Sequence, residues 1–361
     1  MIIYSRSPYF ITVNESGQVG SKIELRLWNG TGSAPTSATY TFSKPIASLT
    51  QTENVYNISP FIKEYIDNVA PIYSEDETDS TDMWVNVQVK RYKETSVGVY
   101  SLLDTITYLG TNGFTSFLDG YNFTNSSNSF MLLSDNTKEI FYDITKDFPY
   151  VDILINPTEG DTIEAKYKDL RGRNEEVVSY TSEKGMLKIP FTTTNIKYYK
   201  GNTLDIVYTS GEEVTIYSYK VTPICEPKYS PVVCSYINRF GGWQFITFFK
   251  AQSNNISVKG SNYNLLPDSI DYNTSKGQSK SFNINGKQSV KLNTGFVPEN
   301  YFDLIQDLLL SETVLLDGKP VEVKTQSSSL KTSLMDKNIN YEIEFDLPPQ
   351  GSICSPHIEF L

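Results

Sequence analysis

Period-two alternation constrains this chain more than any other feature. Ile23, Leu25 and Leu27 share one face of a segment whose other face carries Lys22, Glu24 and Arg26. Val85, Val87 and Val89 alternate in the same way with Asn86, Gln88 and Lys90. Successive side chains of a strand point to opposite faces, so this pattern specifies half-buried antiparallel strands. Composition agrees. With 25 Tyr and 19 Phe, and only 20% charged residues, the chain is rich in side chains that suit a pleated surface. Its 361 residues provide for two or three domains with real hydrophobic cores.

The expected fold is mainly β: two or three antiparallel β-sandwich or barrel-like domains, with one short helix each in the first and third. Residues 1–110 read as an N-terminal β domain with a helix near 60–69. Ser59 is placed to cap that helix and Pro60 to open it. Phe61, Ile62, Tyr65 and Ile66 form its apolar stripe, and Pro71 ends it. Residues 111–224 read as a middle antiparallel β domain. It begins in a Gly/Asn/Ser-rich stretch over Gly110–Ser129, with turns at Arg171-Gly172-Arg173 and Ser210-Gly211. Residues 225–361 read as a C-terminal β domain, entered through Pro223, Pro227 and Pro231, with a helix near 299–310. Asn285-Gly286 and Asp317-Gly318 are hairpin signals within it. The first and third regions share an outline of strands, a proline-opened helix and more strands.

Much catalytic and metal chemistry is excluded by residue count. The one histidine, His357, would have to serve any His-dependent triad, relay or zinc site alone. The three cysteines, Cys225, Cys234 and Cys354, cannot close a disulfide framework and form no CxxC pair. Asn29-Gly30-Thr31-Gly32 lacks the further glycine and lysine of a phosphate loop. The acidic run Glu75-Asp76-Glu77, Asp79, Asp82 lacks the spacing and central glycine of an EF-hand. No carboxylate pair is marked out by its neighbours, so no catalytic residue, metal or cofactor is expected. Basic–aromatic runs at Lys90–Lys93 and Lys197–Lys200 are of the kind that stacks single-stranded nucleic acid, but the net charge of −11 opposes binding. They read as solvated strand ends. The N-terminus lacks the basic and apolar regions of a secretory signal, and no apolar run of membrane-spanning length occurs.

The most unusual segment is Tyr236–Phe249, in which two apolar-aromatic strands flank Asn238-Arg239-Phe240-Gly241-Gly242-Trp243. Paired glycines allow positive φ and close backbone approach. Arg239 is placed to stack on Phe240 or Trp243. Arg and Trp anchor many interfaces, so Arg239, Phe240, Gly241, Gly242 and Trp243 are the candidate interface; the alternative is a plain turn in a core.

At this motif the sequence resembles virion tail proteins of Bacteroidetes-infecting phages, including the crAss-like group. The resemblance is carried by Arg6–Ile11 with Val55–Ile62, by Asn238–Trp243, and by Leu308–Thr313 with Tyr341–Phe345. It spans nearly the whole chain. It implies a structural ring or hub protein of a short-tailed particle, with no catalytic residues. The implied partners are copies of the same chain and neighbouring tail proteins, with no membrane and DNA only as passing cargo. The implied location is the virion tail, assembled in the host cytoplasm. A surface-type β protein without an export signal fits this, because virions leave by lysis. The competing reading is a receptor- or carbohydrate-binding tail protein, with Trp84 and Trp243 as stacking platforms.

Overall fold

Of the residues that the computed structural model describes, 54% are strand and 7% helix, a β-sandwich-like architecture of several antiparallel sheets. It describes residues 1–348 except 49, 68–81, 123–129, 136, 138, 144, 147–148, 174, 194–199, 227, 266–274, 276–277 and 329–337. Pro71, the acidic run at 75–79, Lys197–Tyr199, Cys354 and His357 therefore lie outside the described residues.

The chain divides into two compact units. The first holds Met1–Cys225, Ser235–Thr247 and Leu310–Thr313; the second holds Glu226–Cys234, Phe248–Leu309 and Val314–Leu361. One boundary between them falls after Cys225. The two short excursions into the first unit are tertiary features that no local signal marks.

Within the first unit, two sandwiches have separate cores. The N-terminal sheet runs in the order Ile2–Tyr4, Val99–Thr111, Trp84–Ser96, Gly20–Trp28, Tyr40–Pro45. Its alternating valines and leucines are buried, with Val85, Val87, Val89, Ile23, Leu25 and Leu27 in one cluster. The pair Phe10–Val13 and Asn54–Asn57 adds to that core. The helix is short, Ser59–Lys63, and its N-cap is Ile58 rather than Ser59. Ser59 is itself inside the helix, and its hydroxyl donates to the carbonyl of Ser7 at 2.6 Å, which turns the side chain toward a long-range partner. Ile62 and Ile66 are buried as the stripe requires.

The middle region pairs a three-stranded sheet, Gly185–Pro190, Tyr150–Ile155, Phe130–Leu132, with a five-stranded one, Glu176–Tyr180, Thr162–Asp169, Asn202–Ser210, Glu213–Pro223, Ile140–Tyr142. Their facing residues form one cluster that includes Ile153, Tyr167, Ile206 and Tyr219. The turns at Gly172 and Gly211 fall where the sequence places them.

The second unit carries a sheet ordered Val314–Leu316, Lys319–Val323, Glu342–Asp346, Ser279–Asn293, Ser253–Asn264. Asp317-Gly318 turns its hairpin as expected, with φ of 42° and 76°. The helix Phe302–Leu309 buries Leu304, Ile305 and Leu308. Asn285-Gly286 does not turn a hairpin; it lies inside the continuous strand Ser279–Asn293. Pairing along the whole of Ser253–Asn264 outweighs the local turn preference, and a β-bulge opposite Gly260 takes up the mismatch, with Asn283 at φ 56°.

Core and periphery should respond differently to truncation. Ile153→Ala empties a fully buried site and is expected to cost about 2–5 kcal/mol in urea unfolding. Val258→Ala, at a residue 58% exposed, is expected to stay within about 0.5 kcal/mol of the parent.

Candidate functional site

Inside the first unit, the loop between the strands Val232–Ile237 and Trp243–Phe248 joins the two sandwiches. Asn238 organises it. Its side-chain oxygen accepts from the amides of Phe240 (2.9 Å) and Gly242 (3.3 Å), and its side-chain amide donates to the carbonyl of Leu133 (2.7 Å). On the N-terminal side, Phe114 N donates to Arg239 O at 2.8 Å, and the Thr111 hydroxyl donates to Phe240 O at 3.1 Å. On the middle side, the amide of Trp243 donates to the buried carboxylate of Asp152 at 2.7 Å.

Both glycines are required by space. Gly241 sits at φ 88°, where a Cβ would lie 2.8 Å from Asn112 N and 2.9 Å from Gly113 N. A Cβ on Gly242 would lie 2.7 Å from the Leu133 Cβ. Gly110–Gly113, which the sequence suggested as the start of a linker, is buried strand end against which this loop packs.

Three of the five candidate interface residues are therefore enclosed by their own chain: Gly241, Gly242 and Trp243, the last only 1% exposed. Arg239 is exposed and Phe240 half-buried, so these two are what a second molecule can reach. Arg239 stacks on Phe240, with its guanidinium carbon 4.9 Å from the ring centroid, rather than on Trp243. The short turn Phe117–Asp119 belongs to the same rim. Its Asp119 is held below the usual carboxylate range by hydrogen bonds from Ser116 and by the charge of Arg239. That turn presents Phe117 and Leu118 almost fully to solvent. No local signal in the sequence distinguishes these two from core residues.

Arg6–Ile11, Val55–Ile62 and residues 310–313 meet beside this loop. Arg6 lies over the ring of Phe114 at 4.7 Å, donates to Leu310 O at 2.7 Å and pairs with Glu312 at 3.4 Å. Lys63 pairs with Glu312 from the other side at 2.8 Å. Ile58 N donates to Tyr9 O, and Ile237 N to Thr313 O. Tyr341–Phe345 belongs to the second unit and packs in its core.

Asp152 is the residue that sequence reasoning missed, since it occupies one position of an otherwise apolar strand. It is fully buried. Burial pushes its carboxyl up to about 6, against the pull of the Trp243 amide and the Lys188 charge. Lys188, its register partner on Gly185–Pro190, is itself lowered by burial.

Other sequence candidates resolve differently. Arg91 is bonded to Asp104, and the Tyr92 hydroxyl donates to Glu24, so the run at Lys90–Lys93 is internally paired. Cys225 and Cys234 are free thiols. Trp84 and Trp243 are both buried, so neither can be the sugar-stacking platform that the competing reading requires. Among the described residues, no three His, Cys, Asp or Glu side chains gather in a way that would hold a metal ion, and no helix is long and apolar enough to cross a membrane.

No family model matches the sequence, and no curated protein does. Among solved structures, the chain is similar to the crystal structure of calcium binding domain CBD12 of CALX1.1. The identity is 10% and the TM-score 0.17, over 59% of this chain and 79% of that one. A score that low carries no argument about function.

Two substitutions test the joint. Gly241→Ala should cost at least about 2 kcal/mol, against about 1 kcal/mol for Gly211→Ala, whose positive φ lies in open space. For Asp152, the folded-state value lies above the ordinary one, so the folded protein binds the proton more tightly than the unfolded chain. This group's contribution to stability is greatest in acid and is lost as pH rises through about 6. Asp152→Asn should therefore gain stability relative to the parent by about 1 kcal/mol between about pH 5 and 8. Urea unfolding of both proteins at the two pH values measures it.

Proposed function

We propose that this chain is a structural protein of a phage tail, assembling with copies of itself into a symmetric ring or hub around the DNA conduit. The observation that carries the reading is the convergence at the joint. Arg6, Lys63, Arg239, Leu310 and Glu312 come from segments far apart in sequence, and each lies in or beside a stretch that resembles tail proteins. What they build is a rigid junction with an exposed Arg–Phe–Leu rim, which is architecture suited to packing. Exposed aromatic and arginine side chains on a fixed backbone are typical interface anchors. Contacts between unlike surfaces that close by rotation make rings. The net charge of −11 suits a channel through which DNA passes without being held. In this reading the chain is not an enzyme, its neighbours are other tail proteins, and it resides in the virion after assembly in the host cytoplasm.

Sedimentation velocity of the purified full chain should show concentration-dependent assembly into closed oligomers. Phe117→Ser with Leu118→Ser should weaken that assembly at least about tenfold without lowering thermal stability, since both side chains are solvent-exposed. A chain that stays monomeric at every concentration, and that is missing from a map of the intact particle, would end this reading.

A further inference from the structure

The hairpin formed by Ser253–Asn264 and Ser279–Asn293 extends beyond the sheet that anchors it. The next strand, Glu342–Asp346, pairs with the hairpin along Ser289–Asn293 alone. Every residue of Ser253–Asn264 is exposed, as are those of 279–285. Ser253–Asn264 is also the edge of its sheet, so its outer backbone groups are open to pairing. A two-stranded ribbon alone is at best marginally stable in water.

Its two faces differ. Register places Ile256 and Val258 on the face that continues from the buried Val290 and Leu292, and Ile284 lies there beside Gly260. This core face thus runs on into solvent with its apolar side chains uncovered. The opposite face carries Tyr263 and Phe282, in edge-to-face contact at 5.6 Å, together with Lys259, Lys280, Lys287 and Lys291. The last two are answered by Asp346 and Glu342; Lys259 and Lys280 lie farther out.

The two strands hold four lysines and no carboxylate. Removing those four positive charges from the chain's −11 leaves −15 on the remainder. A basic arm thus belongs to a strongly acidic chain, and another copy of that chain is a complementary surface. Size agrees. Twelve residues at about 3.3 Å each, two strands wide, present roughly 400 Å² per face, so covering both faces buries on the order of 800 Å². That is about one partner's share of a standard stable interface. Nucleic acid would suit the lysine face but would leave Ile256, Val258 and Ile284 in water.

We infer that this hairpin is an assembly arm whose occupant is a second copy of the same chain, which covers its apolar face and places carboxylates against Lys259 and Lys280. The inference rests on the self-assembling reading above and adds a second surface to the rim of the first unit.

Sedimentation velocity on full-length protein tests it with two exposed pairs of substitutions, Lys259→Glu with Lys280→Glu and Ile256→Asn with Val258→Asn. Each should weaken assembly at least about tenfold at unchanged thermal midpoint, and added salt should weaken the parent's assembly. Carbodiimide cross-linking of mixed light and heavy isotope-labelled protein should join Lys259 or Lys280 to a carboxylate of the other copy. If the parent assembles and both variants assemble equally well, the arm is overturned while the tail-protein reading stands. If the parent never assembles, that reading falls and the arm with it. DNA binding lost on Lys259→Glu/Lys280→Glu, with self-assembly unchanged, would assign the arm to nucleic acid and overturn the inference.

Discussion

The first unit depends on one hydrogen-bonded contact: the amide of Trp243 held by the buried carboxylate of Asp152. Burial disfavours the ionised form of this carboxyl, and one of its oxygens has no hydrogen-bond partner there. The joint accepts that cost because the same loop is fastened on its other side by Phe114 and Thr111. Two sandwiches with separate cores are thereby tied by a third element that enters from late in the chain. Closing so long a loop is entropically expensive, and the dense set of bonds around Asn238 offsets it.

The enclosed and exposed parts of the motif do different work. Gly241, Gly242 and Trp243 lock the backbone, and the lock fixes where Arg239 and Phe240 reach the surface. A rigidly held rim loses little freedom when it is covered, which is what an assembly contact needs. The arm of the second unit follows another logic. It is an extension of a core face past the point where the chain supplies a cover, and its cost is met only when something else covers it.

Local patterns were read correctly wherever local physics decides. Alternation at Ile23–Leu27 and Val85–Val89 gave buried strand faces, and Asp317-Gly318 gave its turn. The same rules failed where a distant partner competed. Ser59 entered the helix with its hydroxyl turned to the carbonyl of Ser7, and Asn285-Gly286 stayed extended because a twelve-residue partner strand was available. Gly110–Gly113 resembled a linker because glycine marks both flexibility and close packing, and only the neighbours distinguish them.

The sequence by itself determined a mainly β chain, its strand faces, most of its turns and the singular character of Asn238–Trp243, because these follow from periodicity and backbone preference. Only the tertiary structure decided that three of the candidate interface residues face inward and that Trp84 and Trp243 are core. It also decided that Asp152 lies beneath the motif and that one hairpin is left uncovered. Those outcomes depend on which surfaces meet across hundreds of residues, and burial is a property of the meeting rather than of any residue in it.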